Sequence, residues 1–599
     1  MIDRRNFCLM SAAGLGLAAA PLRAHASADA DLHAFFEAAY QRDLSRSPIQ
    51  QSRRGVKTAQ DRWDDISEAR RLEDARLLRE DLAALRRFDP AALSPQARLS
   101  WRLFEHAAET GLRAERWRRN DYLLSQMGGM HTRVPVTLMN SHPVDTRKDA
   151  EDYIARLHAV GPLMEQVLIE LRRQEAAGVK PPRFVYGHVV GAAQNLLEGA
   201  PFGDGPDSPL LADFRSKLAA TGWPETARSN LLARAVDALR GPFAMGYGAL
   251  LTHLREAERS AGDEDGAWKL PDGEAYYRHQ LEAYTTLPQG PEDLHALGLG
   301  ETAKIHDEMR AVAEKVGFTG DLAAFFDHMR TDPRFFYPDT DEGRAAYLAR
   351  AEGLLAEIRG RQDELLTVQP QAEVVVEPVE AWRAASAAKA FYQSPPTEGD
   401  APGVFYINLY DMGAQPRYQL PVTLYHETIP GHHVETVVAY ELEDLPAFRK
   451  FASIAAFSEG WGLYAERLPR EMGLYQDPYD DFGRLSLALM RSARLVVDTG
   501  LHHLRWSREE AVAWLDANTP ASTYDNRREV DRYIVLPGQA VSYYVGMMKI
   551  LDLRERARAR LGDRFDLAAF HDRVLGQGPL PLPFLEEEIE QWIETETAR

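Results

Sequence analysis

The chain of 599 residues is 45% hydrophobic and 27% charged, ample for a packed core. Its formal charge of −20 argues against nucleic acid as a partner, and its one cysteine, Cys8, excludes an internal disulfide framework. Beyond the first 26 residues no run is apolar for long enough to span a bilayer, so no stable membrane span is expected.

The N-terminus addresses the chain. Asp3-Arg4-Arg5-Asn6-Phe7-Cys8-Leu9 is a twin-arginine pattern, residues 9–22 are a short Ala/Gly-rich apolar run, and Ala24-His25-Ala26 is a small-x-small cleavage signal. These predict a signal peptide over residues 1–26, cleavage after Ala26, and delivery to the periplasm by the twin-arginine export machinery. The apolar run is shorter than the roughly 20 residues of a spanning helix, which argues against an anchor. Cys8 precedes that run, which argues against a lipid-attached cysteine. Because this route carries folded cargo, a metal can enter before export. Losing Arg4, Arg5, Arg23 and Asp3 takes the formal charge to −22.

Downstream, helical spacing dominates. Residues 66–85 carry it, Ser94-Pro95 reads as an N-cap with proline in the first turn, and further helices are predicted at about 147–176, 208–258, 291–316 and 342–368. The charged segment SAGDEDG, 260–266, is the predicted boundary between an N-terminal helical lobe, 27–265, and a C-terminal catalytic lobe, 266–599. Strands are few: 374–376, 404–409 and 418–420, all just upstream of a histidine cluster. Asn408, at the end of the second, is either a cleft residue or an ordinary strand-end asparagine.

That cluster is Tyr425-His426-Glu427-Thr428-Ile429-Pro430-Gly431-His432-His433, followed on a second helical segment by Ser458-Glu459-Gly460-Trp461. Zinc hydrolases hold their ion with imidazoles and a carboxylate, keep one position open for water, and need a separate carboxylate as base. His426 and a later histidine supply the imidazoles, Glu459 the third ligand, and Glu427 the base. The spacing departs from H-E-x-x-H, where both histidines share one helical face. In a regular helix position 432 would point away from 426, and 433 would lie about 10 Å along the axis. Pro430-Gly431 is therefore expected to kink the chain and return His432 to the metal, with His433 as second choice or as a hydrogen-bond partner of the site.

Other side chains suit supporting roles. Arg532 can bind a substrate carboxylate, and Gln539 would share a face with Tyr543 if Pro537-Gly538 opens a helix. Asp498 and His502, four apart, can form a carboxylate–imidazole pair for substrate binding or for support of the metal site. Neither a glycine-rich phosphate loop nor a G-x-S-x-G elbow is evident.

The segments LYHETIPGHH, FSEGWGLYAE, RLVVDTGLHHLRWS and VLPGQAVSYYVG, in this order, resemble the bacterial family known as domain of unknown function 885, as does the stretch at 270–301. That resemblance implies kinship with gluzincin-like zinc metallopeptidases: a mainly α, large multi-helix fold with a small β-sheet next to the metal helix, whose edge pairs with an extended substrate. It places His426, Glu427, His432 or His433, and Glu459 at motif positions, and Tyr543 at the tyrosine of P-G-Q-A-x-x-Y, the first choice as oxyanion donor. It implies no substrate. The expectation is a periplasmic metallohydrolase with one zinc, acting on a peptide or small amide. The alternatives are a zinc hydrolase of a non-peptide amide or ester, and a catalytically silent periplasmic binding protein, for which an intact Glu427 would have no use.

Overall fold

The Thr146 side chain accepts a hydrogen bond from the Asp149 N–H while the Asp149 carboxylate accepts from the Thr146 N–H, a capping box that opens helix α1 (Arg147–Ala176). Along it Tyr153, Leu157, Val160, Met164 and Val167 recur every three or four residues and are fully buried, so one stripe of α1 forms core. Helix α2 (Arg183–Asn195) and helix α3 (Ala244–Arg259) complete that packing, α3 lying against both. The computed structural model describes residues 19–380, 384, 387–396 and 401–599. The twin-arginine pattern and most of the apolar leader fall on residues 1–18, outside the described residues.

The chain divides into two compact units, Met1–Gly262 with Pro446–Arg449, and Asp263–Leu445 with Lys450–Arg599. The division falls within the charged segment 260–266. Residues 446–449 depart from the expected boundary because Phe448 packs its ring 4.8 Å from Phe36 and 5.3 Å from Phe104. The predicted helical stretch 208–258 is also interrupted. It comprises Pro209–Ala220, Glu225–Ala238 and α3, broken where 221–224 reads T-G-W-P and again at the turn Leu239–Phe243, which holds Gly241 and Pro242.

The second unit is built on helix α4 (Pro291–Lys315), which lies along helix α8 (Pro478–His502). Leu485, Leu489, Val496, Val497 and Leu501 of α8 are buried, and Thr302 and Ser492 hydrogen-bond across the pair at 3.1 Å. Between them in sequence come helices α5 (Leu420–Glu427), α6 (His432–Glu441) and α7 (Ala455–Ala465); helices α9 (Thr523–Val535) and α10 (Ser542–Leu561) follow. α7 and α10 touch backbone to backbone, since a Cβ on Gly460 would lie 2.6 Å from Gly546 Cα. Among the described residues no helix is long and apolar enough to cross a membrane.

Three short strands form one mixed sheet beside α5: β1 (Val374–Pro378), β2 (Ala390–Gln393) and β3 (Gly403–Ile407), in the order β1-β3-β2. β1 runs parallel to β3 and β2 antiparallel, leaving β2 at an edge. The mainly helical fold with a small sheet agrees with the sequence reading in class. Two strand details do not. Residues 418–420 were expected to be extended, but Arg417–Gln419 is a 3-10 turn and Leu420 begins α5, with Pro421 in its first turn. β2 has no counterpart among the predicted strands, being four residues long without polar–apolar alternation.

Candidate metal centre

α5 stops at Glu427. Thr428 adopts φ −114°, ψ −113°, the Ile429–Pro430 peptide is cis, Gly431 has φ −81°, ψ −130°, and α6 restarts at His432. The expected kink is thus a complete break between two helices. Only glycine fits at 431, because a Cβ there would stand 1.9 Å from the His426 carbonyl oxygen. The indole N–H of Trp461, on α7, donates to the Pro430 carbonyl at 2.9 Å and ties the break to the helix that bears Glu459.

The break folds the two histidines together. Their rings lie 4.7 Å apart, nearly perpendicular at 86°. Glu459 Oε2 is 3.9 Å from His426 Nε2 and 3.6 Å from His432 Nε2, and the three ligand atoms lie within 4.8 Å of one another. Tetrahedral bonds of about 2.0–2.1 Å would separate ligand atoms by roughly 3.4 Å. The donor set therefore has the chemistry and close to the spacing that a zinc ion requires. Gly462 is needed to seat His426, since a Cβ there would come 2.8 Å from its ring.

Each outward-facing Nδ1 meets a carboxylate. Glu466 Oε1 is 2.9 Å from His426 Nδ1, and Glu435 Oε2 is 3.7 Å from His432 Nδ1. Glu466 is buried, its oxygens make no hydrogen bond among the described residues, and a guanidinium nitrogen, Arg491 Nη2, is 3.8 Å from Oε1. Glu435 is steadied by the Ser458 hydroxyl, which donates to it at 2.8 Å. Carboxylates behind imidazoles orient the rings and make them better ligands. Neither glutamate was singled out in the sequence, although the signal was there: Glu466 is seven residues, two helical turns, after Glu459, and Glu435 three after His432.

Glu427, next in the chain to His426, lies close enough to His432 to favour its charged form, and its Oε2 accepts the Tyr392 N–H of edge strand β2 at 3.1 Å. The Tyr543 hydroxyl is a further donor that favours the Glu459 carboxylate. Burial would raise Glu459, but His432, His426 and Tyr543 outweigh it and bring its carboxyl down to about 2. Arg532 Nη2 donates to the Tyr543 hydroxyl at 3.1 Å and to Gln539 Oε1 at 2.7 Å. Gln539 and Tyr543 meet through Arg532 rather than on one helix face, because 537–541 forms turns and α10 begins only at Ser542.

Two sequence candidates stand apart. His433 Nδ1 faces the Tyr392 hydroxyl at 2.9 Å and its Nε2 the Ala372 carbonyl at 3.0 Å, so neither nitrogen is open to the ion site. His502 is likewise consumed: Nδ1 accepts the Ala267 N–H at 2.9 Å, and Nε2 donates to the Tyr533 carbonyl at 3.0 Å. The expected pairing of Asp498 with His502 is absent, since the Asp498 carboxylate takes the Tyr277 hydroxyl at 2.6 Å and the Gly538 N–H at 3.1 Å. Burial lifts Asp498 to about 7, against the Tyr277 and Gly538 hydrogen bonds that favour its charged form, and lowers His502 to about 4, which keeps that imidazole neutral. Asn408 is a strand-end residue: its amide donates to the Ala384 and Ala387 carbonyls, and its oxygen accepts the Tyr410 N–H.

Solved structures share this fold over most of the chain. A "putative lipoprotein" of Colwellia psychrerythraea is 27% identical and superposes with a TM-score of 0.89 over 95% of this chain and 99% of its own. A "putative lipoprotein of unknown function" from Shewanella oneidensis, 16% identical, shares the fold with a TM-score of 0.72 over 92% of this chain and 98% of its own. No curated protein matches significantly. A family model matches residues 48–589, and the chain belongs to the family described as bacterial protein of unknown function, DUF885.

Proposed function

We propose that this protein is an exported zinc-dependent hydrolase that cleaves peptide or related amide bonds. The observation that carries the reading is the convergence of two imidazoles and one carboxylate, each imidazole backed by a second carboxylate, with a further glutamate adjacent to the first ligand. His426, His432 and Glu459 would hold the ion. When bound, zinc supplies a Lewis acid that polarises a carbonyl and brings the pKa of water to about 7.

The chain's own groups supply the rest. Glu427, beside a ligand but turned to the β2 edge, takes the proton of the attacking water and returns it to the leaving amine nitrogen as the C–N bond breaks. The Tyr543 hydroxyl donates to the oxygen that gains charge as the carbonyl becomes tetrahedral. The outer edge of β2, whose Tyr392 N–H steadies Glu427, is where an extended chain would align beside the base. Export is supported by the leader and by the description of the Colwellia relative.

The test is a digest of a mixed short-peptide library by zinc-reconstituted protein beside Glu427→Gln. The reading expects cleavage by the wild type, and a fall of at least about 10²-fold in the variant with zinc retained. A fully active Glu427→Gln, or a zinc-loaded wild type that cuts no peptide, would contradict it; the second result would favour a silent binding protein.

A further inference from the structure

Behind Tyr543 lie two arginines and one glutamate. Arg494, almost fully buried, stacks its guanidinium 4.5 Å from the Tyr543 ring centroid, donates through Nη2 to Glu529 at 2.9 Å and through Nε to the Tyr533 hydroxyl at 3.1 Å. The Tyr533 hydroxyl in turn donates to Glu529 at 2.6 Å, so Glu529 is spent on Arg494. Arg532 is left with neutral oxygens, those of Gln539 and Tyr543, and its closest ion-pair distance to Glu529 is 4.0 Å. A largely buried guanidinium without a close carboxylate is costly unless an anion joins it. Arg494 Nη1, buried, has no hydrogen-bond partner among the described residues.

The position of this excess charge is specific. Arg532 Nη2 is 3.1 Å from the Tyr543 hydroxyl, the donor placed at the reacting carbonyl, whereas one peptide unit advances the chain by at most about 3.8 Å. A carboxylate held by Arg532 therefore lies about one residue beyond the scissile bond. We infer that Arg532 binds the C-terminal α-carboxylate of the substrate, with Arg494 as the buried positioning residue beneath Tyr543, so that the enzyme is a carboxypeptidase or dipeptidase releasing single C-terminal amino acids. This rests on the zinc-peptidase reading.

The experiment compares three pools of tri- to pentapeptides on zinc-loaded full-length protein: free C-terminal acids, the same sequences C-terminally amidated, and amidated peptides bearing Asp or Glu. Free acids are expected to be cut about 10- to 10²-fold more efficiently in kcat/KM, as for loss of one charge-assisted contact, with single amino acids as products. Arg532→Gln is expected to collapse that ratio towards one. Equal wild-type rates on acids and amides, or preference for the acidic amidated pool, would overturn the carboxylate assignment while leaving the peptidase reading intact. An Arg532→Gln that lowers both pools in the same proportion would overturn it too, marking a purely structural arginine. Cleavage of no pool would overturn the peptidase reading and this inference with it.

Discussion

Among the described residues of the second unit, the buried histidines His426, His433, His502 and His571, taken with half-buried His432, fall into two kinds by where their ring nitrogens go. In His433, His502 and His571 both nitrogens end on neutral groups: His571 pairs with the Tyr464 hydroxyl at 2.7 Å and the Leu365 carbonyl at 2.8 Å, much as His433 and His502 do with theirs. Burial holds all three near 4, so they are neutral struts. In His426 and His432 the Nδ1 atoms face carboxylates and the Nε2 atoms face a shared glutamate. Burial does not separate candidate ligand from strut; the charge behind each ring does.

That contrast can be sharpened from its reactive side first. Tyr543→Phe removes a donor that touches Glu459 and Arg532 but no histidine, so turnover on a cleavable peptide should fall roughly 10²- to 10³-fold with zinc content unchanged. A variant that lost zinc instead would make Tyr543 part of the holding set. Glu466→Gln should weaken zinc binding by about 10- to 10²-fold in a competitive titration, because it removes the charge behind His426. Unchanged affinity would show that the 2.9 Å contact does not tune the ligand.

The struts should announce themselves through pH. Their folded pKa of about 4 lies below the ordinary imidazole value of 6.5, so the unfolded chain binds protons that His502 and His571 refuse. Their contribution to stability is whole above pH 6.5 and is lost as pH falls towards 4, by up to about 3 kcal/mol each. Because Asp498, raised to about 7, acts in the opposite sense over this window, denaturant unfolding of the metal-free wild type and of His571→Gln at pH 7 and pH 5 isolates it; a wild type that loses no more stability on acidification than the variant would contradict the assignment. The smallest effect concerns Tyr464→Phe, which removes the hydroxyl from His571 and should cost on the order of 1 kcal/mol without altering zinc affinity.

Much of this site was legible in the sequence, for identifiable reasons. Zinc chemistry restricts ligands to few residue types, and the oddness of Pro430-Gly431 within the histidine run pointed to a broken helix and to His432 over His433. What escaped notice depends on partners distant in sequence. That His502 donates to Tyr533 and accepts from Ala267 cannot be read from the Asp498–His502 spacing, which is equally that of a helical pair. Nothing in the helical spacing around Arg494 marks it out; its place beneath the Tyr543 ring comes from the fold alone. β2 carries no periodic signal because four residues at a sheet edge take their conformation from β3. The long helices were readable where caps and periodicity agree, as at Thr146, and misjudged where Gly-Pro turns break a continuous apolar pattern, as at 239–243.

The central claim is that His432, and not its neighbour His433, holds the ion with His426 and Glu459. Zinc content per folded chain, measured on wild type, His432→Ala and His433→Ala after the same zinc supplementation, tests it most directly. Close to one zinc in the wild type and in His433→Ala, with none retained by His432→Ala, is the predicted result. A wild type without zinc, or a His433→Ala that loses it while His432→Ala keeps it, would contradict the account.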